Sequence, residues 1–129
     1  MQIHQSAEDY LETILILKER KGMVRSIDIA NELQFTKASV SVAMKKLREN
    51  GYIAVDGEGN LTLLEPGLEI AQRIYSRHQL LTHFFVQLGV DEQTAAEDAC
   101  KAEHILSEQT LEKIRESALR NDAAHPQAK

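Results

Sequence analysis

The sequence predicts a mainly α-helical fold, and three observations support that prediction. Apolar residues recur at helical spacing through most of the 129 residues. N-capping residues and glycines divide these stretches into six helical segments. A single segment, 52–64, replaces the helical period with two short extended runs around a glycine-rich loop.

The first three helices are predicted from their caps and apolar faces. Ser6 is the predicted N-cap of a first helix that ends near Lys21. Ser26 begins a short second helix, the turn 34–36 follows it, and a third helix ends at Asn50. Two helices joined by a three-residue turn are typical of a helix-turn-helix. The predicted buried faces are Tyr10, Leu11, Ile14, Leu15 and Leu17; Ile27, Ile29, Ala30 and Leu33; and Val40, Met44 and Leu47.

A β-hairpin is predicted directly after the third helix. The runs 52–55 and 61–64 alternate as strands do, and the loop 56–60 contains two glycines. A hairpin that follows a helix-turn-helix is typical of a winged helix. The loop carries Asp56 and Glu58, and because acidic side chains repel phosphate, we expect its contribution to nucleic-acid contact to be small.

Three further helices complete the predicted fold. Their predicted bounds are Pro66 to Gly89, Asp91 to about Leu106 and Ser107 to about Asn121. We predict a winged-helix domain at 1–65, a second helical domain at 66–122 and a frayed tail at 123–129.

Composition bounds the class of protein. Hydrophobic residues make up 43% and charged residues 27% of the chain, which is typical of a folded globular protein. The sequence contains neither a signal peptide nor the roughly 20 apolar residues of a membrane span, so we expect a cytoplasmic protein with no membrane partner. Its one cysteine, Cys100, cannot form an internal disulfide, which is typical of a reducing compartment.

The net charge of −5 hides a strong asymmetry. Segment 25–48 has five basic and two acidic residues, a net of +3, whereas segment 89–122 has four basic and nine acidic residues, a net of −5. A recognition helix exposes small polar and basic residues at its amino-terminal end, as the third helix does here. The predicted DNA-binding residues are Arg25, Lys37, Ser39, Ser41, Lys45 and Lys46. The alternative is an ordinary helical hairpin with a solvated basic face.

Side chains that bind metals occur in two groups at helical spacing. Asp9 and Glu12 are three residues apart, and Cys100, Glu103 and His104 share one face of the predicted fifth helix. Together with His78 of the fourth helix they offer carboxylate, imidazole and thiolate donors, which suit manganese, iron, cobalt or zinc. The alternative assigns the acids to helix dipoles or a solvated face and the cysteine to the core.

Four segments in the same order resemble the diphtheria toxin repressor family of metal-dependent transcription regulators. They are 8–14 (EDYLETI), the winged helix, 77–81 (RHQLL) and 99–107 (ACKAEHILS). The resemblance extends over nearly the whole chain, to about Asn121. It implies a mainly α fold in which a winged helix-turn-helix DNA-binding domain precedes a helical metal-binding and dimerisation domain.

The resemblance also implies a metal-ligand set, which mixes the two branches of the family. Asp9 and Glu12 match the manganese transport regulator branch, whereas Cys100 matches the iron branch. The remaining ligands fit both branches. The implied set is Asp9, Glu12, His78, Cys100, Glu103 and His104. Because the sequence ends before the SH3-like domain that many iron-branch members carry, we expect an architecture similar to that of the short manganese-type regulators.

The implied function is a homodimeric repressor with Mn²⁺ or Fe²⁺ as corepressor, and with Zn²⁺ or Co²⁺ as substitutes in vitro. Its expected partner is double-stranded DNA with a palindromic operator, whose half-sites are about 10 base pairs apart or a multiple of that distance. One alternative is a winged-helix regulator that senses an organic ligand or oxidation through Cys100 without metal. An enzyme is disfavoured, because a metallohydrolase would need a spare base beside a substrate pocket.

Overall fold

The computed structural model describes residues 5–124 and is mainly helical, as predicted. In chain order its elements are α1 (Gln5–Lys21), α2 (Ser26–Leu33), α3 (Lys37–Glu49), β1 (Ile53–Val55), β2 (Leu61–Leu63), α4 (Glu65–Gln87), α5 (Glu92–Ala102) and α6 (Glu108–Ala124). The chain forms two compact units, Met1–Arg73 and Ile74–Lys129, with the boundary inside α4. Among the described residues, no helix is both long enough and apolar enough to cross a membrane.

The first helix buries one apolar face, as its sequence predicts. Leu11 and Ile14 are fully buried and Leu17 is 3% exposed. The prediction that Ser6 caps the helix is wrong, because Ser6 already lies inside α1. At the other end Gly22 adopts a φ of 84°, a left-handed conformation in which a side chain would be strained, and its N–H bonds the carbonyl of Lys18.

The helix-turn-helix is confirmed, including its three-residue turn. Gln34 closes α2 in the left-handed conformation with φ 58°. The Thr36 hydroxyl accepts a hydrogen bond from the backbone N–H of Ser39 at 3.1 Å and so caps α3. The side chains predicted to face inward from α3, Val40, Met44 and Leu47, are all buried.

The hairpin is also confirmed. Strands β1 and β2 pair antiparallel, with Ile53 opposite Leu63 and Val55 opposite Leu61. In the loop the Asp56 carboxylate accepts hydrogen bonds from the backbone N–H groups of Glu58 and Asn60, each at 2.9 Å. These bonds, with one from the Asn60 side chain, lower the pKa of Asp56. The Asp56 charge therefore serves to shape the loop.

One apolar core joins the helix-turn-helix, the hairpin and the start of α4 within the first unit. Its buried members include Leu11, Val24, Ile29, Val40, Met44, Ile53, Leu61 and Ala71. Gly67 is required where α4 meets the hairpin, because a Cβ at this position would overlap the carbonyl oxygen of Tyr52. This contact fixes α4 against the base of the hairpin.

The second unit packs the rest of α4 with α5 and α6 around Leu81, Ala99 and Leu111. Asp91 caps α5 as predicted, since its carboxylate accepts a hydrogen bond from the N–H of Thr94 at 3.0 Å. The prediction that α5 reaches Leu106 is wrong. The helix ends at Ala102, whose carbonyl accepts bonds from two residues of the following turn.

The sixth helix is longer than predicted. Ser107 precedes it and accepts a hydrogen bond from the N–H of Thr110 at 3.1 Å, as expected of a cap. The helix runs to Ala124, so 123–124 belong to it and not to a frayed tail. The rest of the predicted tail, 125–129, lies outside the described residues.

Candidate metal centre and nucleic-acid interface

Three predicted metal ligands converge within the second unit. His78 lies on α4 and Cys100 lies near the end of α5. Glu103 is the residue that closes α5. One ligand atom from each, an imidazole nitrogen, the sulfur and a carboxylate oxygen, lie within 4.8 Å of one another. This spacing suits donors around a single ion, and the donor types suit a first-row transition metal.

Glu103 lies at the centre of this group. Its side chain is fully buried. One carboxylate oxygen lies 3.3 Å from Nδ1 of His78 and the other 3.5 Å from Nε2 of His104. Among the described residues, neither oxygen receives a hydrogen bond. Because a buried carboxylate is costly unless charge or hydrogen bonds compensate it, this arrangement fits a bound cation.

The position of His104 differs from its prediction. The prediction placed it on α5, whereas it lies in the turn 103–107 that follows the helix. Its side chain is only 2% exposed and points at Glu103. Cys100 is exposed, so the alternative that makes this cysteine a core residue does not hold. The structure therefore brings four of the six predicted ligands together in the second unit.

Sequence reasoning missed the role of Arg77, which precedes His78 on α4. Its guanidinium donates a hydrogen bond to the backbone carbonyl of Glu103 at 3.2 Å and pairs with the carboxylate of Glu108. Arg77 therefore holds both ends of the turn that carries Glu103 and His104. The only signal for this role was a basic residue beside a predicted ligand.

The other two predicted ligands, Asp9 and Glu12, belong to α1 in the first unit. Glu12 is only 6% exposed, which argues against a solvated acid that serves the helix dipole. Asp9 is half-buried, and its backbone carbonyl accepts a hydrogen bond from the Thr13 hydroxyl at 2.7 Å. Tyr10 lies between these two acids in the sequence. Its pKa is raised mainly by burial and secondarily by the negative charge of Asp9.

All six predicted DNA-binding residues are exposed, and five of them lie on α3. Arg25 is the exception: it caps α2, and its guanidinium donates hydrogen bonds to the backbone carbonyl of Glu58 in the hairpin loop. Arg25 therefore ties the hairpin to the helix-turn-helix. Asp28, at the start of α2, forms a salt bridge of 2.6 Å with Lys21 and accepts a hydrogen bond from the backbone N–H of Arg25. Both interactions lower the pKa of Asp28.

The fold and site define a class of protein: a winged-helix DNA-binding regulator joined to a helical unit that bears candidate metal ligands. Known proteins agree with this class. The family model "Iron dependent repressor, N-terminal DNA binding domain" matches residues 2–61. The model "Iron dependent repressor, metal binding and dimerisation domain" matches residues 64–126.

Relatives of known sequence are transcription regulators. An uncharacterized HTH-type transcriptional regulator of Methanocaldococcus jannaschii is 40% identical over 113 residues, which are 86% of this chain and 90% of the relative. The regulator MntR of Bacillus subtilis is 37% identical over 109 residues, 84% of this chain and 77% of MntR. The chain therefore belongs to the iron-dependent repressor family, the diphtheria toxin repressor family that its motifs resemble.

Solved structures share the fold. The manganese regulator SloR aligns with a TM-score of 0.76 and 26% identity over 94% of this chain and 55% of SloR. A manganese-dependent transcriptional repressor solved with manganese aligns with a TM-score of 0.79 and 27% identity over 87% of this chain and 52% of its own. This chain thus spans about half the length of these two solved chains.

Proposed function

We propose that the protein represses genes of metal-ion homeostasis, and that its specific binding to DNA requires Mn²⁺ or Fe²⁺ as corepressor. The observation that carries this proposal is the buried Glu103 carboxylate between His78 and His104, beside Cys100, in a chain that also contains a winged helix. Such a centre has the donors of a metal sensor, and the winged helix would bind the DNA.

The proposed ligands are the six residues implied by the resemblance. They are Asp9, Glu12, His78, Cys100, Glu103 and His104. A bound divalent cation supplies positive charge, which offsets the repulsion among three carboxylates and a thiolate. Without that charge these anionic groups repel one another, so we expect a looser metal-free protein.

The identity of the metal follows from a balance of donors. The Cys100 thiolate favours Fe²⁺, Zn²⁺ or Co²⁺, whereas the carboxylates Asp9 and Glu12 favour Mn²⁺. The relatives named above include manganese regulators, which supports Mn²⁺. We propose a homodimer on a palindromic operator, and a protein that remains in the cytoplasm with its target DNA.

The test is selection of DNA from a random duplex pool by the full chain with Mn²⁺ or, anaerobically, Fe²⁺. Fluorescence anisotropy then measures affinity for the selected duplex with metal and with a chelator. We expect the chelator to weaken binding by about tenfold or more.

Two variants sharpen this test. Glu103→Gln should need far more metal for the same binding, whereas Glu97→Gln, which changes an exposed acid on α5, should behave as wild type. Equal affinity with and without chelator would contradict the proposal. It would favour instead the regulator that senses an organic ligand or oxidation through Cys100.

A further inference from the structure

The exposed surface of α3 contains an apolar strip that the basic and polar prediction overlooked. Val42 is 56% exposed. Ala38, four residues earlier and so one helical turn away, is exposed as well. Both lie opposite the face that α3 buries in the core through Val40, Met44 and Leu47. The strip is therefore the most outward part of the helix.

One flanking polar residue, Ser39, is less available for base contacts than the sequence suggests. The Ser39 backbone N–H bonds the Thr36 hydroxyl, and the Ser39 hydroxyl accepts a second bond from it at 2.8 Å. These bonds belong to the cap that begins α3. Ser39 therefore lies at the edge of the outward surface, and its hydroxyl oxygen already accepts a hydrogen bond from Thr36.

A β-branched residue such as Val42 is energetically unfavourable on a solvated helix surface, because it loses rotamer freedom and exposes apolar area. It suits a surface that becomes buried against another apolar group. In the major groove of DNA the only apolar group on a base edge is the 5-methyl of thymine.

We propose that Val42, with Ala38 beside it, reads thymine by contact with its 5-methyl group. This inference rests on the proposed function, since it requires α3 to enter the major groove. Each half-site should then contain a thymine whose methyl group Val42 covers. Lys45, one turn nearer the carboxyl end of α3, would contact the phosphate backbone and contribute affinity without this preference.

The experiment replaces thymine by deoxyuridine, which removes only the methyl group. The selected duplex is compared with duplexes that carry uridine at one position per half-site at a time. For wild type we expect one position at which uridine weakens binding by about fourfold, the size of burying one methyl group. All other thymines should tolerate the change.

Variants assign that effect to its residue. Val42→Ala should bind the thymine and uridine duplexes equally, whereas Val42→Ile should retain the preference. Met23→Ala, which removes a 60% exposed side chain elsewhere in the same unit, should behave as wild type. Because Val42 is exposed and alanine favours the helix, Val42→Ala should unfold at or slightly above the wild-type temperature.

The outcomes separate the two proposals. If no duplex is enriched in the presence of metal, the proposed function fails and this inference fails with it. If a duplex is enriched and bound only with metal, but uridine is tolerated at every position, the proposed function stands and the reading of thymine by Val42 is wrong. An unchanged uridine penalty in Val42→Ala has the same meaning.

Discussion

At the scale of single residues, Cys100 distinguishes the proposed ligand set from one that contains only oxygen and nitrogen donors. It is the one sulfur donor among the six proposed ligands, and it lies with His78 and Glu103 within 4.8 Å. A thiolate prefers softer cations than a carboxylate does. We therefore expect the choice between iron and manganese to depend strongly on this position.

We predict that Cys100→Glu shifts relative affinity from Fe²⁺, Co²⁺ and Zn²⁺ toward Mn²⁺, because it replaces the sulfur donor by oxygen. Cys100→Ser should weaken every metal, since a hydroxyl is a poor anionic donor at neutral pH. The check is anaerobic titration with Co²⁺, in which wild type should show a sulfur-to-cobalt charge-transfer band in the near ultraviolet.

Because Cys100 is exposed, its replacement should test metal binding without a change in folding stability. Neither variant disturbs the core, so both metal-free proteins should unfold at the wild-type temperature. If wild type lacks the charge-transfer band, or if Cys100→Ser binds each metal as tightly, Cys100 is not a ligand and the remaining five residues must suffice.

At the scale of elements, the turn between α5 and α6 matters most, because it carries Glu103 and His104. Arg77 bonds the carbonyl of Glu103 and pairs with Glu108 at the start of α6. A group that orients metal ligands from outside the coordination sphere typically contributes about 10- to 100-fold to metal affinity. Arg77 is placed to act in this way, as a positioning residue.

We therefore predict that Arg77→Met lowers Co²⁺ affinity by about tenfold and alters the visible spectrum of the bound Co²⁺, because the turn no longer holds Glu103 in place. Arg77→Lys should restore part of the affinity. Arg115→Met is the matched control, since Arg115 lies on α6 and pairs with Glu112 three residues away. An unchanged Co²⁺ spectrum in Arg77→Met would show that Arg77 has only a general structural role.

The elements also show which features the sequence was able to predict. The helix-turn-helix was predicted because its signals are local: Ser26 begins α2, a three-residue turn follows it, and Val40 and Met44 repeat on one face of α3. The convergence of His78, Cys100 and Glu103 was predictable for a similar reason, because two of them share a helical face and the motifs indicated the third.

Other features depend on contacts between distant residues and carry no local signal. No glycine, asparagine or proline marks the end of α5 at Ala102, and the turn that follows it is held by Arg77, 26 residues earlier than Glu103. The role of Arg25 depends in the same way on Glu58, 33 residues later. Such pairings become visible only when the chain is folded.

At the scale of the whole molecule, the charge distribution separates two tasks. The overall net charge is −5, yet five of the six predicted DNA-binding residues lie on α3. All five are exposed, and three of them are lysines. Phosphate contacts by lysines make binding salt-dependent and only weakly dependent on sequence. We therefore expect specific affinity to gain from the simultaneous binding of two recognition helices, as in the proposed homodimer.

We predict that two copies of the chain bind one operator, with half-sites related by a two-fold axis and separated by about 10 base pairs or a multiple of that distance. Insertion of 5 base pairs between the half-sites turns the second one to the opposite face of the duplex. With metal bound, affinity should then fall by about a hundredfold, toward that of a single half-site, because the second helix can no longer bind at the same time.

The measurement is anisotropy on the original duplex, the duplex with the insertion, and a duplex in which one half-site is scrambled. Sedimentation of the complex gives the number of chains per duplex. The insertion and the scrambled half-site should weaken binding equally, since each leaves one recognition helix without its site. If the insertion leaves affinity unchanged while two chains still bind, the two copies bind independently, and a rigid dimer that spaces its recognition helices is wrong.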